Sequence, residues 1–236
     1  MENIHYYIEL SKDLKNISDG GSKCYDVGDG KVLVCYCIDK KYNTDPRRDA
    51  EEIAFICNQK NDEGVNVPKQ YEIKRMSDDT YDYCYVLQEK AKGVSFTRYT
   101  NLDRKEEKLE KQREIASLPL QSFIKCAHDM AQIMHMGFET QPKNIFFDPE
   151  SKEFSFIDFL ETDDRSYDGS LADFFMLERL CSFTSNFSLV IDYDNPESEI
   201  SKKSTELYNV IKAKTFLALK NTVYNFDEYE RFLVRS

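Results

Sequence analysis

The sequence predicts an α+β chain in two parts, a small β-rich first part and a mainly helical second part. Three observations predict it. Between residues 24 and 87, β-prone runs flank a single helical pattern. Residues 120–136 then carry an amphipathic helix. Behind it, within 137–159, come two short apolar runs separated by a turn, with acids and an amide at their ends. We place the first part at 1–90 and the second at 91–236, the latter including the segment 137–159 and a helical extension over 181–236.

The first part opens with a lead-in or short helix over 1–16 and a small-residue turn at Ser18-Asp-Gly-Gly-Ser22. Cys24–Val27 and Val32–Ile38 bracket Gly28-Asp-Gly-Lys31, and Asp-Gly between β-prone runs is a strong hairpin signal. Asp45 is a helix N-cap with Pro46 at the first helical position, so a helix follows, with Ile53, Ile56 and Cys57 on one face and Glu52 at its edge. Tyr71–Met76 and Tyr81–Leu87 are two further strands around Ser77–Thr80. The order is strand, strand, helix, strand, strand.

In the second part, residues 101–114 are almost all charged, which suits a solvated helix or a mobile excursion. Over 120–136 the apolar side comprises Phe123, Ile124, Ala127, Met130, Ala131, Ile133 and Met134. A helix starts near Ser170 with a capping-box-like Ser-x-x-Asp ending at Asp173. Leu207, Val210, Ile211, Phe216, Leu217 and Leu219 are candidate core of a final helical region.

Composition excludes several classes. A 41% apolar and 13% aromatic content argues against disorder, and 236 residues can bury a real core. No apolar run approaches the roughly 20 residues of a membrane helix, and Met-Glu-Asn-Ile-His-Tyr-Tyr is not a secretory leader. A net charge of −11 disfavours nucleic acid, whose phosphates repel it. The seven cysteines are an odd number scattered through apolar runs, and Cys35-Tyr-Cys37 fits alternate strand positions better than a metal site. We expect reduced thiols in a cytosolic protein, or in an effector exported into a host cytosol by a specialised system.

The chemistry gathers in 137–159. Glu139 precedes Asn144 by five residues, with Pro142 between, and the second apolar run ends in Ile157-Asp158-Phe159. An acid, an amide and a second acid joined by two short strands can hold Mg²⁺ and orient a phosphate. Gly20-Gly21-Ser22 could lay backbone N–H groups over phosphates, although an ordinary surface turn has the same composition.

The run Asn144-Ile-Phe-Phe-Asp-Pro-Glu-Ser-Lys-Glu-Phe-Ser-Phe-Ile-Asp-Phe159 resembles that of the small bacterial effector kinases of the OspG and NleH type, and more loosely the likeness spans residues 19–180. The resemblance implies a bilobal protein kinase-like fold with a reduced helical C-lobe. It implies Asn144 and Asp158 as Mg²⁺ ligands, Glu139 where an Asp would accept the substrate proton, and Gly21 and Ser22 in the phosphate-covering turn. Glu52 matches the helix glutamate, Gln88 the gate, and Glu89 to Ala91 the adenine-gripping linker. Asp173 matches a brace of the catalytic loop.

The departures are as informative. Cys35 stands where the phosphate-binding lysine belongs, with Lys31, Lys40 or Lys41 as possible substitutes. Gln141 replaces a phosphate-contacting lysine, and Glu139 adds a methylene to the catalytic acid. The expected protein is therefore a pseudokinase or weakly active kinase that binds ATP and Mg²⁺ and acts through a protein partner. By resemblance that partner could be a ubiquitin-loaded conjugating enzyme. The alternatives are an active Ser/Thr kinase using Glu139 as base, and a small-molecule phosphotransferase or other nucleotide-dependent transferase.

Overall fold

The computed structural model describes residues 3–18, 22–41, 50–95, 105–133, 142–159 and 195–222. The predicted α+β class is what it has: an antiparallel sheet with helices in one unit, and a mainly helical second unit. The units are Met1–Ala91 with Phe159–Asp163, and Lys92–Asp158 with Asp164–Ser236.

In the first unit α1 (Ile4–Ser11) precedes β1 (Lys23–Gly28), β2 (Lys31–Asp39), α2 (Ala50–Asp62), β3 (Gln70–Ser77) and β4 (Tyr81–Glu89). The sheet order is β1-β2-β4-β3, all antiparallel. The β1–β2 turn passes through Gly28, Asp29 and Gly30, all at positive φ, which explains the glycines. Each sheet face is covered by a different helix. On one, Ile4, Tyr7 and Ile8 of α1 pack on Leu33 and Leu87. On the other, Ala50 of α2 joins Val32, Val34, Cys84 and Val86.

Side chains that mimic backbone pin both helices. Asn3 caps α1 by accepting the His5 N–H, and the Glu72 carboxylate of β3 accepts the Ile4 N–H at 3.0 Å. Asn58 of α2 closes on Gln70 like a neighbouring strand, accepting its N–H at 2.7 Å and donating to its C=O at 2.9 Å. Asn58→Ala leaves both half-buried backbone groups without that partner. It is expected to lower stability by about 1–3 kcal/mol, read as a shifted urea midpoint with an unchanged slope.

The second unit has β5 (Val94–Ser95), α3 (Lys105–Ser117), α4 (Leu120–Ile133), β6 (Ile145–Asp148), β7 (Glu153–Phe156) and α5 (Glu199–Lys220). β5, β6 and β7 form a small sheet in that order. The charged stretch expected to be a solvated helix or a mobile excursion is a helix over its described residues, and its inner side reaches the core. α3 buries Leu109, Gln112, Ile115 and Ala116, and α5 packs on both α3 and α4. Lys214 of α5 donates to the carbonyls of Ala116 and Leu118, which end α3, and lies 5.8 Å from the Phe123 ring. Such a cation at a helix C-terminus satisfies orphan carbonyls and complements the dipole.

Candidate functional site

Asn144 ends a single 3-10 turn, Pro142–Asn144, that runs directly into β6. The β6–β7 ladder pairs Ile145 with Phe156 and Phe147 with Phe154, and Ile145, Phe147 and Phe156 are completely buried. One further bond, Ile157 N–H to Asn144 C=O at 2.9 Å, extends the pairing past the strands. Asn144 and Asp158 are therefore neighbours at the open end of one rigid ladder. Asn144 is buried at 2% exposure, while Asp158 is half-buried.

Asp158 has φ +67°, in the left-handed region, though it is not glycine. Among the described residues the other two of this kind, Asp29 and Lys152, sit in hairpin turns, whereas Asp158 lies two residues past the end of β7. A non-glycine residue held there costs on the order of 1–3 kcal/mol, and such strain clusters at ligand clamps and active sites. The donor set suits Mg²⁺, which keeps most of its waters and uses one or two carboxylates beside substrate phosphates. Here the protein would supply one carboxylate, from Asp158, and the Asn144 amide oxygen.

The residues expected to meet the phosphates and base lie in the first unit. Ser22 immediately precedes β1, and its C=O accepts from the Ser18 hydroxyl. The Ile17 N–H bonds the Cys24 C=O at 2.8 Å and the Cys24 N–H bonds Asn16 at 2.9 Å, so Ser18 and Ser22 are held close to the start of β1. Because Lys23 pairs with Cys35, Ser22 lies near the level of Cys35 on β2. Glu89 and Ala91 belong to the opposite end of β2, where Lys31 pairs with Glu89. The linker is tied down there. The Glu89 N–H bonds the Lys69 C=O at 2.7 Å, the Lys90 N–H bonds the Gly30 C=O at 2.8 Å, and the Lys90 ammonium meets Asp26 at 2.6 Å. The Lys90 hydrogen bond, helped by the Gly28 N–H, holds the Asp26 carboxyl below its usual range.

Cys35 and Glu52 are not brought together. Cys35 shares its face with Leu33 and contacts Tyr85, on the α1 side of the sheet. Val34 takes the position facing α2. Glu52 lies about 200° around the helix from Ala50 and Ala54, the side α2 buries, and is exposed. Its neighbour Glu51 pairs with Arg75 of β3 at 3.4 Å. A lysine placed at 35 would point away from this helix. The substitute lysines are engaged elsewhere or exposed. Lys31 donates to the Tyr7 hydroxyl at 3.3 Å and lies over the Tyr7 and Tyr71 rings. Lys40 bonds the Asp78 carbonyl, and Lys41 is exposed. Glu139, Gly21, Asp173 and Gln141 lie outside the described residues.

The six described cysteines are free thiols. Burial pushes the Cys57 thiol up to about 12 and, with the Asp26 charge adding to it, Cys24 up to about 11. Burial likewise raises Cys84 to about 11 and lifts Cys126 well above the ordinary value. Since the thiolate is the nucleophile, exposed Cys37 is expected to react with a disulfide reagent at pH 8 far ahead of Cys57, Cys84 and Cys126. Mass mapping of the labelled peptides checks the order; fast labelling of Cys57 in folded protein would contradict it.

No family model matches the chain, and no curated protein sequence matches it. Among solved structures it is similar to that of the Cydia pomonella granulovirus kinase PK-1. Identity there is 12%, with 95% of this chain and 92% of that chain covered and a TM-score of 0.47.

Proposed function

We propose that this chain is a kinase-fold protein that binds ATP with Mg²⁺ at a degenerate site and acts by engaging a protein partner, with phosphoryl transfer weak or absent. The observation that carries the reading is the Asn144–Asp158 pair at the end of the β6–β7 ladder, with Asp158 in a strained conformation. The order strand, strand, helix, strand, strand, followed by a helix and a two-stranded ladder, supports the same reading. So does Ser22, bonded to Ser18 and lying toward the opposite end of β2 from the linker.

The weak-transfer half rests on charge. The face of β2 turned to α2 offers Val32 and Val34, so that face contributes no cation to neutralise phosphates. Preorganised charge carries most of phosphoryl-transfer catalysis. When bound, the metal would neutralise phosphate oxygens, and Asp158 and Asn144 would hold it. By the resemblance to the OspG and NleH type, a ubiquitin-loaded conjugating enzyme is the first partner to try.

The test is thermal unfolding with and without MgATP. Ligand at a hundred times its Kd stabilises by roughly 2.7 kcal/mol, so the wild type is expected to shift upward by several degrees. Asp158→Asn keeps the shape and tolerates left-handed backbone, and is expected to lose most of that shift while its ligand-free Tm stays close to wild type. An Asp158→Asn protein that shifts as far as wild type would remove the metal assignment. No shift in wild type would remove the nucleotide reading.

A further inference from the structure

The sheet face that α1 covers is only partly covered. The ladder registers lay out its remaining rows, because directly paired residues share a face. One row runs Lys23–Cys35–Tyr85–Lys74 across the four strands, the next Cys37–Tyr83–Met76, and the last Asp39–Tyr81. Tyr81, Tyr83 and Tyr85 form a ring ladder with centroids 6.3 and 6.4 Å apart, the second pair stacked. The Tyr83 hydroxyl donates to Asp78 at 3.0 Å, which fixes the middle ring. Tyr81 is 38% and Met76 45% exposed, and Cys37 is exposed. Tyrosine and methionine are the residue types enriched where proteins meet partners, being large, apolar and cheap to order.

Two features say what would cover this face. Lys23 and Lys74 bracket the Cys35–Tyr85 row, and neither has an ion-pair partner among the described residues. Their backbones are three strand spacings apart, about 14 Å, the reach of roughly four extended residues. The patch also continues an existing interface, because Tyr85 packs against the cluster that α1 makes with Leu33 and Leu87. We propose that this face docks a short segment of a partner protein in which carboxylates flank an apolar side chain. The apolar group sits on the Tyr83–Tyr85 ladder and the acids meet Lys23 and Lys74.

Panning a random peptide library of about 12 residues on the full chain tests it. The wild type is the bait and the double variant Lys23→Glu, Lys74→Glu the counter-selector. Enriched peptides are expected to share two acids spaced three to five residues apart around a Leu, Ile or Phe. The leading peptide should bind the double variant at least tenfold more weakly, and bind wild type more weakly as salt rises. Met76→Ser removes apolar area without touching charge and should also weaken binding, with an unchanged Tm showing that the fold is intact. Enrichment without the acidic-apolar pattern, affinity indifferent to the charge swap, or self-association through Tyr83 and Met76 in light scattering would each overturn the proposal.

Discussion

Gly93→Ala is expected to be the most damaging single methyl in the described chain. Gly93 has φ +80°, and a Cβ there would stand 2.0 Å from the Phe147 carbonyl oxygen, 2.4 Å from its carbon and 2.6 Å from the Asp148 Cα. All three atoms are backbone, in a strand held on both sides by β5 and β7, so no side chain can swing aside. The left-handed conformation adds about 1–2 kcal/mol for any residue with a Cβ. The clash can be relieved only by parting β5 from β6, so the total should exceed about 4 kcal/mol, the range reserved for named mechanisms such as this one. Chemical denaturation measures it. A loss under about 1 kcal/mol would mean that β5 separates from β6 at little cost.

Phe154→Ala should come next. Phe154 is 3% exposed, its ring 5.2 Å from Phe147 on the neighbouring strand and 6.4 Å from Phe123 on α4. It therefore joins the β6–β7 ladder to the helical core. Removing a buried phenyl costs about 3–5 kcal/mol, because the surroundings collapse only partly into the cavity. Since the same ladder holds Asn144 beside Asp158, any MgATP shift should fall with it, even at temperatures where the variant is still folded. A variant that loses stability but keeps the full shift would show that the ladder's outer end is held independently of this ring.

Local patterns were legible where one element had one wet side. The Asp-Gly turn located the β1–β2 hairpin, alternation and turn residues located β3 and β4, and the apolar stripe located α4. The β6–β7 pairing that brings Asn144 close to Asp158 was legible for a related reason, since two short apolar runs around an acidic turn can pair in few ways. The facing of β2 was not legible. Val32, Leu33, Val34 and Cys35 are all buried, because α1 covers one face and α2 the other, so the run carries no period of two to show which residue faces which helix. The position opposite α2 consequently falls on Val34 rather than Cys35. The burial of α3 was also hidden. Its Leu109 and Ile115 are sparse among charges, and the surface they need is supplied by α5, some ninety residues further along the chain, as the bond from Gln112 to the Ser204 carbonyl shows.

That last pairing has a consequence for how the chain can be shortened. The sequence resemblance to the effector kinases ends near residue 180, which makes the region beyond it look like an appendage that could be trimmed. Yet α5 places Ile211, Thr215, Ala218 and Leu219 in the interior and sets Lys214 on the carbonyls that close α3. A fragment cut at the limit of the resemblance would strip that cover from α3 and α4, and would aggregate instead of reporting on the site. Inactivity of such a fragment would say nothing about whether the intact protein binds nucleotide.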